Sequence, residues 1–200
     1  MRVSREKAAQ NHRRILTAAA RLFRERGIGA TGVDAITQEA GLTHGAVYSQ
    51  FGSKEAIAAE AISDALKGSE HLWQRLVQRK GGKKAFPAIV AGYLSREHRD
   101  RAGTGCVVAA LGGEIGRQPG RVRDAFTGEL NDALQFLAAV MAKDEPSRSY
   151  DDAIAAFAAM TGALILARAV SDDALSNRIL KATVKRVLDC SRRPQDSRHP

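Results

Sequence analysis

"ATGVDAITQEAGLTHGAVYSQFGSKE", residues 30–55, decides the fold. Val33, Ile36 and Ala40 recur at helical spacing until Gly41 stops the pattern. Thr31, with Asp34 three residues on, has the form of a capping box in which Asp replaces the usual Glu. Leu42 fills a turn, Thr43 stands as the N-cap of a second helix over about His44 to Gln50, and Gly52 breaks it. A two-turn helix is unstable alone, so it must lean on neighbours, and Val47 and Phe51 provide the anchors. Ser53, with Glu55 in the first turn, opens a longer helix that runs to about Arg79.

The pattern extends in both directions. Upstream, Ile15, Ala18, Ala19, Leu22 and Phe23 make the apolar stripe of a helix that ends at Gly27. Downstream, helices are expected at about 85–95, 104–117, 120–143, 148–170 and 172–190. A polar connector, "REHRDRAGTG" (96–105), and a turn cluster around Pro146 separate them. No strand-like alternation of useful length occurs. The expected fold is all-α. It consists of an N-terminal three-helix unit with a helix-turn-helix (1–52), a larger C-terminal helical domain (53–190), and a basic tail (191–200).

The chain has 200 residues, with 31 Lys and Arg against 22 acids, a net charge of +9 and a pI near 10.0. Residues 1–54 hold nine basic and four acidic residues, so about a quarter of the chain carries over half of the excess. That imbalance points to a polyanionic partner. No apolar run approaches the roughly 20 residues of a membrane span. The N-terminus has basic residues without an apolar core, unlike a secretory leader. The two cysteines, Cys106 and Cys190, form no disulfide framework. A cytoplasmic protein with reduced thiols and no membrane association is the expectation.

Two short helices joined at Gly41 have the shape of a helix-turn-helix, whose second helix enters the DNA major groove while the first braces it. The outward residues of the second helix are short or polar: Thr43, His44, Gly45, Ser49 and Gln50. Gly45 and Ala46 allow close approach. Gln50 can pair with adenine through both amide atoms, and Ala46 can pack on a thymine methyl. Tyr48 can bond a phosphate through its hydroxyl. Thr31 and Lys54, at the starts of the flanking helices, join the set, since helix N-termini hold phosphates.

Residues 15–62 resemble the N-terminal DNA-binding region of TetR/AcrR-type transcriptional regulators. The likeness rests on Leu22-Phe23 to Gly27, Ala30-Thr31, Glu39-Ala40-Gly41, Tyr48 to Phe51, and Ser53-Lys54-Glu55. His44, Ala46 and Gly52 depart from the residues common in that family, which leaves the operator sequence open but not the class. The resemblance implies an all-α homodimer that binds a near-palindromic operator on double-stranded DNA. It implies a small-molecule effector in the C-terminal domain, and a dimer interface on the last two long helices. Phe157, Met160, Leu164, Ile179 and Val187 are the candidates for that interface.

Cys106 follows Gly105 at an expected helix start, where a thiol is activated. It reads either as a site of oxidation or electrophile capture, with Arg99 and Arg101 nearby, or as a small buried core residue. No His, Cys, Asp or Glu set has metal-ligand spacing. "HRD" (98–100) lacks the remaining kinase motifs, and "GGEIG" (112–116) lacks a preceding strand. No nucleophile–base–orienter set can be named. The expectation is a regulator, a repressor in its simplest form, with no enzymatic activity, cofactor or metal. It is released from DNA by an effector or by thiol modification.

Overall fold

The computed structural model describes residues 5–81 and 84–190. Among the described residues every regular element is helical. These are α1 (Arg5–Arg26), α2 (Val33–Ala40), α3 (His44–Phe51), α4 (Lys54–Lys80), α5 (Ala85–Tyr93), α6 (Arg96–Asp100), α7 (Val107–Ile115), α8 (Gly120–Asp144), α9 (Tyr150–Ala169) and α10 (Asp173–Cys190). A 3-10 turn covers Ala102–Thr104. The tail expected at 191–200 lies outside the described residues, as does the side chain of Cys190.

Two compact units make up the chain. The first comprises 1–71 and 101–133, and the second 72–100 and 134–200. The division falls inside α4 and inside α8.

The first unit is built on α1. Ile15, Ala19, Leu22 and Phe23 have almost no exposure and meet Ile36, Val47, Phe51, Ile57 and Ile62 in one apolar cluster. Leu111 and Ile115 of α7 and Val122 of α8 complete it. The capping box expected at Thr31 is not formed. The N-cap of α2 is Gly32, with no side-chain bond, because Thr31 is fully buried and turns its hydroxyl inward. That hydroxyl donates to the carbonyl of Gly27 at 2.7 Å.

In the second unit, Phe86, Ile89, Val90 and Tyr93 of α5 and Phe157, Met160 and Leu164 of α9 are buried. The rings of Trp73 and Phe157 meet edge-on at 6.1 Å, and those of Tyr93 and Phe157 at 5.9 Å. The Tyr93 hydroxyl lies 3.1 Å from Thr161 Oγ1. The expected connector at 96–105 is partly helical. Ser95 Oγ accepts from the His98 amide at 3.1 Å to start α6. Arg168 of α9 donates to the carbonyls of His98 (2.8 Å) and Arg99 (2.9 Å), which satisfies its end.

One expectation about length is corrected. α9 spans 20 residues with a mean hydropathy of 1.5, long and apolar enough by those two measures to cross a membrane. Here it is a packed helix, with Ala153, Phe157, Met160, Ala163, Leu164 and Ala167 buried.

Candidate nucleic-acid interface

The turn between α2 and α3 is closed by backbone geometry. Gly41 takes φ 60 and ψ 42, the left-handed region that favours glycine. Its N–H donates to Gln38 (3.0 Å), and that of Leu42 to Thr37 (3.0 Å), the paired bonds of a Schellman motif. Thr43 then caps α3, its hydroxyl accepting from the Ala46 amide at 3.4 Å. Val47 and Phe51 point into the core, and Phe51 stacks on the His12 ring at 4.4 Å. This inward pair rolls the opposite side of α3 outward. Thr43, His44, Gly45, Tyr48 and Ser49 are exposed, and Ala46 and Gln50 half-buried.

Helix α1 braces the turn. An Arg14 guanidinium nitrogen donates to the Gly41 carbonyl at 3.3 Å. Arg21 pairs with Glu39 of α2 and, at 3.0 Å, with Glu25. A groove of about 500 Å³ runs between α1 and the end of α2, lined by Gln10, Arg13, Arg14, Thr17, Arg21 and Glu39 among others. A second, of about 420 Å³, is lined by Ala8, Ala9, His12, Arg13 and Gln50. His44 Nε2 lies 3.1 Å from Asp34 Oδ1, and the rings of His44 and Tyr48 are 4.8 Å apart. Ser53 caps α4 through the Ala56 amide at 3.1 Å.

The structure therefore brings together Thr43, His44, Gly45, Ala46, Tyr48, Ser49 and Gln50 on one short helix. Thr31 is not among them. It has no accessible surface, and its hydroxyl serves the backbone of the α1–α2 loop. Lys54 is half-buried, and its ammonium donates to the Gly29 carbonyl at 3.3 Å. Gln10, Arg13 and Arg14 of α1 line the first of these grooves, and His12 and Arg13 the second. Their signal in the sequence was the local charge, which names no single residue.

The other candidates lie elsewhere in the chain. Cys106 is buried at the N-cap of α7. Arg24 of α1 interacts electrostatically with it. Burial lowers the Arg24 guanidinium from its ordinary value, and the charges of Cys106 and Glu25 oppose that shift. Its Nε donates to the Gly103 carbonyl at 2.7 Å. Arg99 is held by Asp100, Asp173 and Ser176. Of the five proposed interface residues, Phe157, Met160, Leu164 and Val187 are buried within the protomer and Ile179 is half-buried. The apolar surface of α9 and α10 is carried by Ile154, Ile165, Leu166 and Leu175.

Residues 15–61 match the bacterial regulatory proteins of the tetR family. An uncharacterized HTH-type transcriptional regulator of Mycobacterium tuberculosis, Rv0196, is 28% identical over 170 residues, covering 80% of this chain and 84% of the relative. Another from Bacillus subtilis, YdgC, is 36% identical over 77 residues, or 38% of this chain and 40% of that one. The reduced form of NemR from Escherichia coli shares the fold with a TM-score of 0.77 at 18% identity, over 90% of this chain and 95% of that one. A TetR-family regulator from Agrobacterium tumefaciens does so with a TM-score of 0.77 at 21% identity, over 90% and 98%.

Proposed function

We propose, from the premise that residues 15–61 make the chain a member of the tetR family of bacterial regulatory proteins, that it is a dimeric repressor released from its operator by a small effector or by thiol modification. The observation that carries this reading is the outward face of α3. Five exposed polar or small residues stand opposite two buried anchors, on a helix too short to serve as core scaffolding.

In this reading α3 enters the major groove. Gln50 and His44 read base edges, Tyr48 bonds a phosphate, and Arg13 and Arg14 flank the backbone. Two such helices in a symmetric pair meet successive major grooves, roughly 34–36 Å apart, so the operator is a near-palindrome. Ile154, Ile165, Leu166 and Leu175, exposed on α9 and α10, support pairing of a second copy there. An effector in the C-terminal helices acts by favouring a state that does not fit the operator, in proportion to its differential affinity. Cys106 beside Arg24 is the candidate for thiol modification. The protein then works in the cytoplasm.

Selection of bound sites from random duplex, followed by anisotropy, tests the reading. Tyr48→Ala should weaken binding to every sequence, and Gln50→Ala should relax preference at one base pair by about 1–3 kcal/mol. Wild-type affinity and selectivity in both variants would remove α3 from the interface.

A further inference from the structure

Glu114 sits in the last turn of α7, where the helix dipole disfavours a carboxylate. Its surroundings supply a reason for it. Oε2 accepts the N–H of Ile28 at 2.9 Å, and Oε1 accepts that of Gly29 at 2.6 Å. Gln118 Nε2 donates to Oε1 at 3.4 Å from the next turn of chain. One carboxylate thus receives two consecutive backbone amides, a charge-assisted pair of the strong kind.

The loop that it holds is the covalent entry to α2. α1 ends at Arg26, and Gly27 follows at φ 87. Residues 27–30 are Gly, Ile, Gly and Ala, so within that stretch only the buried Ile28 has a side chain that anchors it; Thr31 and Lys54 hold the Gly27 and Gly29 carbonyls, and Glu114 holds the Ile28 and Gly29 amides. The glycines also make room. A Cβ at Gly27 would stand 2.9 Å from Glu114 Oε2, and one at Gly29 3.3 Å from Oε1. The carboxylate cannot shift far, because Leu111 and Ile115 on either side of it are buried in the same core as α1.

We propose that Glu114 is a positioning residue for the DNA-reading helices: its carboxylate fixes the direction in which α2 leaves α1. The inference rests on the DNA-binding reading of α3. A duplex must meet α3 and the arginines of α1 together, so an α2–α3 pair free to rock about residues 27–30 would satisfy one contact at the expense of the other.

The test uses full-length Glu114→Ala and the isosteric Glu114→Gln, whose amide can accept from only one of the two N–H groups. Three readouts are taken at a temperature where circular dichroism shows every variant folded. They are amide exchange at Ile28 and Gly29, affinity for the selected operator, and thermal midpoint. Both variants should exchange those two amides roughly tenfold faster or more and bind the operator about tenfold or more weakly, with the folded fraction unchanged. Wild-type affinity in both folded variants, or a loss that merely follows the unfolded fraction, overturns the proposal. If the wild type bound no duplex, the regulatory reading would fail first, and unchanged exchange at Ile28 and Gly29 would still overturn the clamp.

Discussion

The hydroxyl of Thr31, a residue with no solvent exposure, reaches the carbonyl of the half-buried Gly27 over 2.7 Å. A residue that looks from the sequence like a phosphate ligand is a tie across the α1–α2 loop. Thr31→Val keeps the shape and removes that donor from a half-buried carbonyl, which costs about 0.5–1.5 kcal/mol. Urea denaturation should show this loss. Operator affinity of the folded variant should stay near wild type, in contrast to Tyr48→Ala.

Leu166 is 56% exposed in the protomer, whereas Met160 and Leu164 are fully buried. If the chain pairs through α9 and α10 as proposed, Leu166→Glu should convert that dimer to monomer in sedimentation velocity with little change in thermal midpoint. It should also weaken operator binding by orders of magnitude, since two half-sites are no longer engaged at once. Met160→Ala should do the opposite, losing about 2–5 kcal/mol of stability through an internal cavity. A Leu166→Glu dimer would move the pairing surface off α9.

His98 gives stability a pH dependence. Burial holds its imidazole below the ordinary histidine value, and Arg168 adds to that, while the Tyr93 carbonyl, which accepts from Nδ1 at 2.7 Å, opposes it. The unfolded chain therefore takes up this proton first as pH falls. The contribution of the neutral ring is complete above about 6.5 and is lost as pH drops from there toward the folded value. The urea midpoint should fall between about pH 7 and about pH 5, and His98→Asn should flatten that slope. Asp100 and Asp173 are lowered by the Arg99 guanidinium, and Asp152 by the Ser149 amide. Their contributions disappear only below the ordinary carboxylate range.

Cys106 is 7% exposed, so reaction with an electrophile requires local opening of the α7 start. Operator release by a quinone or peroxide should be slow in the wild type and absent in Cys106→Ser. Equal release by both proteins would make the residue structural.

The helix-turn-helix was legible because its signals are local. Gly41, Thr43 and Gly52 bound α3 within one residue of the expected end. α6 was not legible, because its sequence is short and polar and two of its carbonyls are satisfied by Arg168, some 70 residues away. Glu114 was hidden for the same reason, its partners lying 85 and 86 residues upstream. Which side of α9 faces outward was hidden for another reason. α9 is apolar nearly all round, so spacing could not tell Met160, which faces inward, from Leu166, which faces out.

The arginines of α1 turn much of their charge on the protein itself: Arg14 on a turn carbonyl, Arg21 between two carboxylates, Arg24 on Gly103. A duplex approaching this face would displace fewer condensed counterions than the formal +9 allows. The ionic-strength dependence of association thus becomes a count of the cations that remain turned toward the nucleic acid.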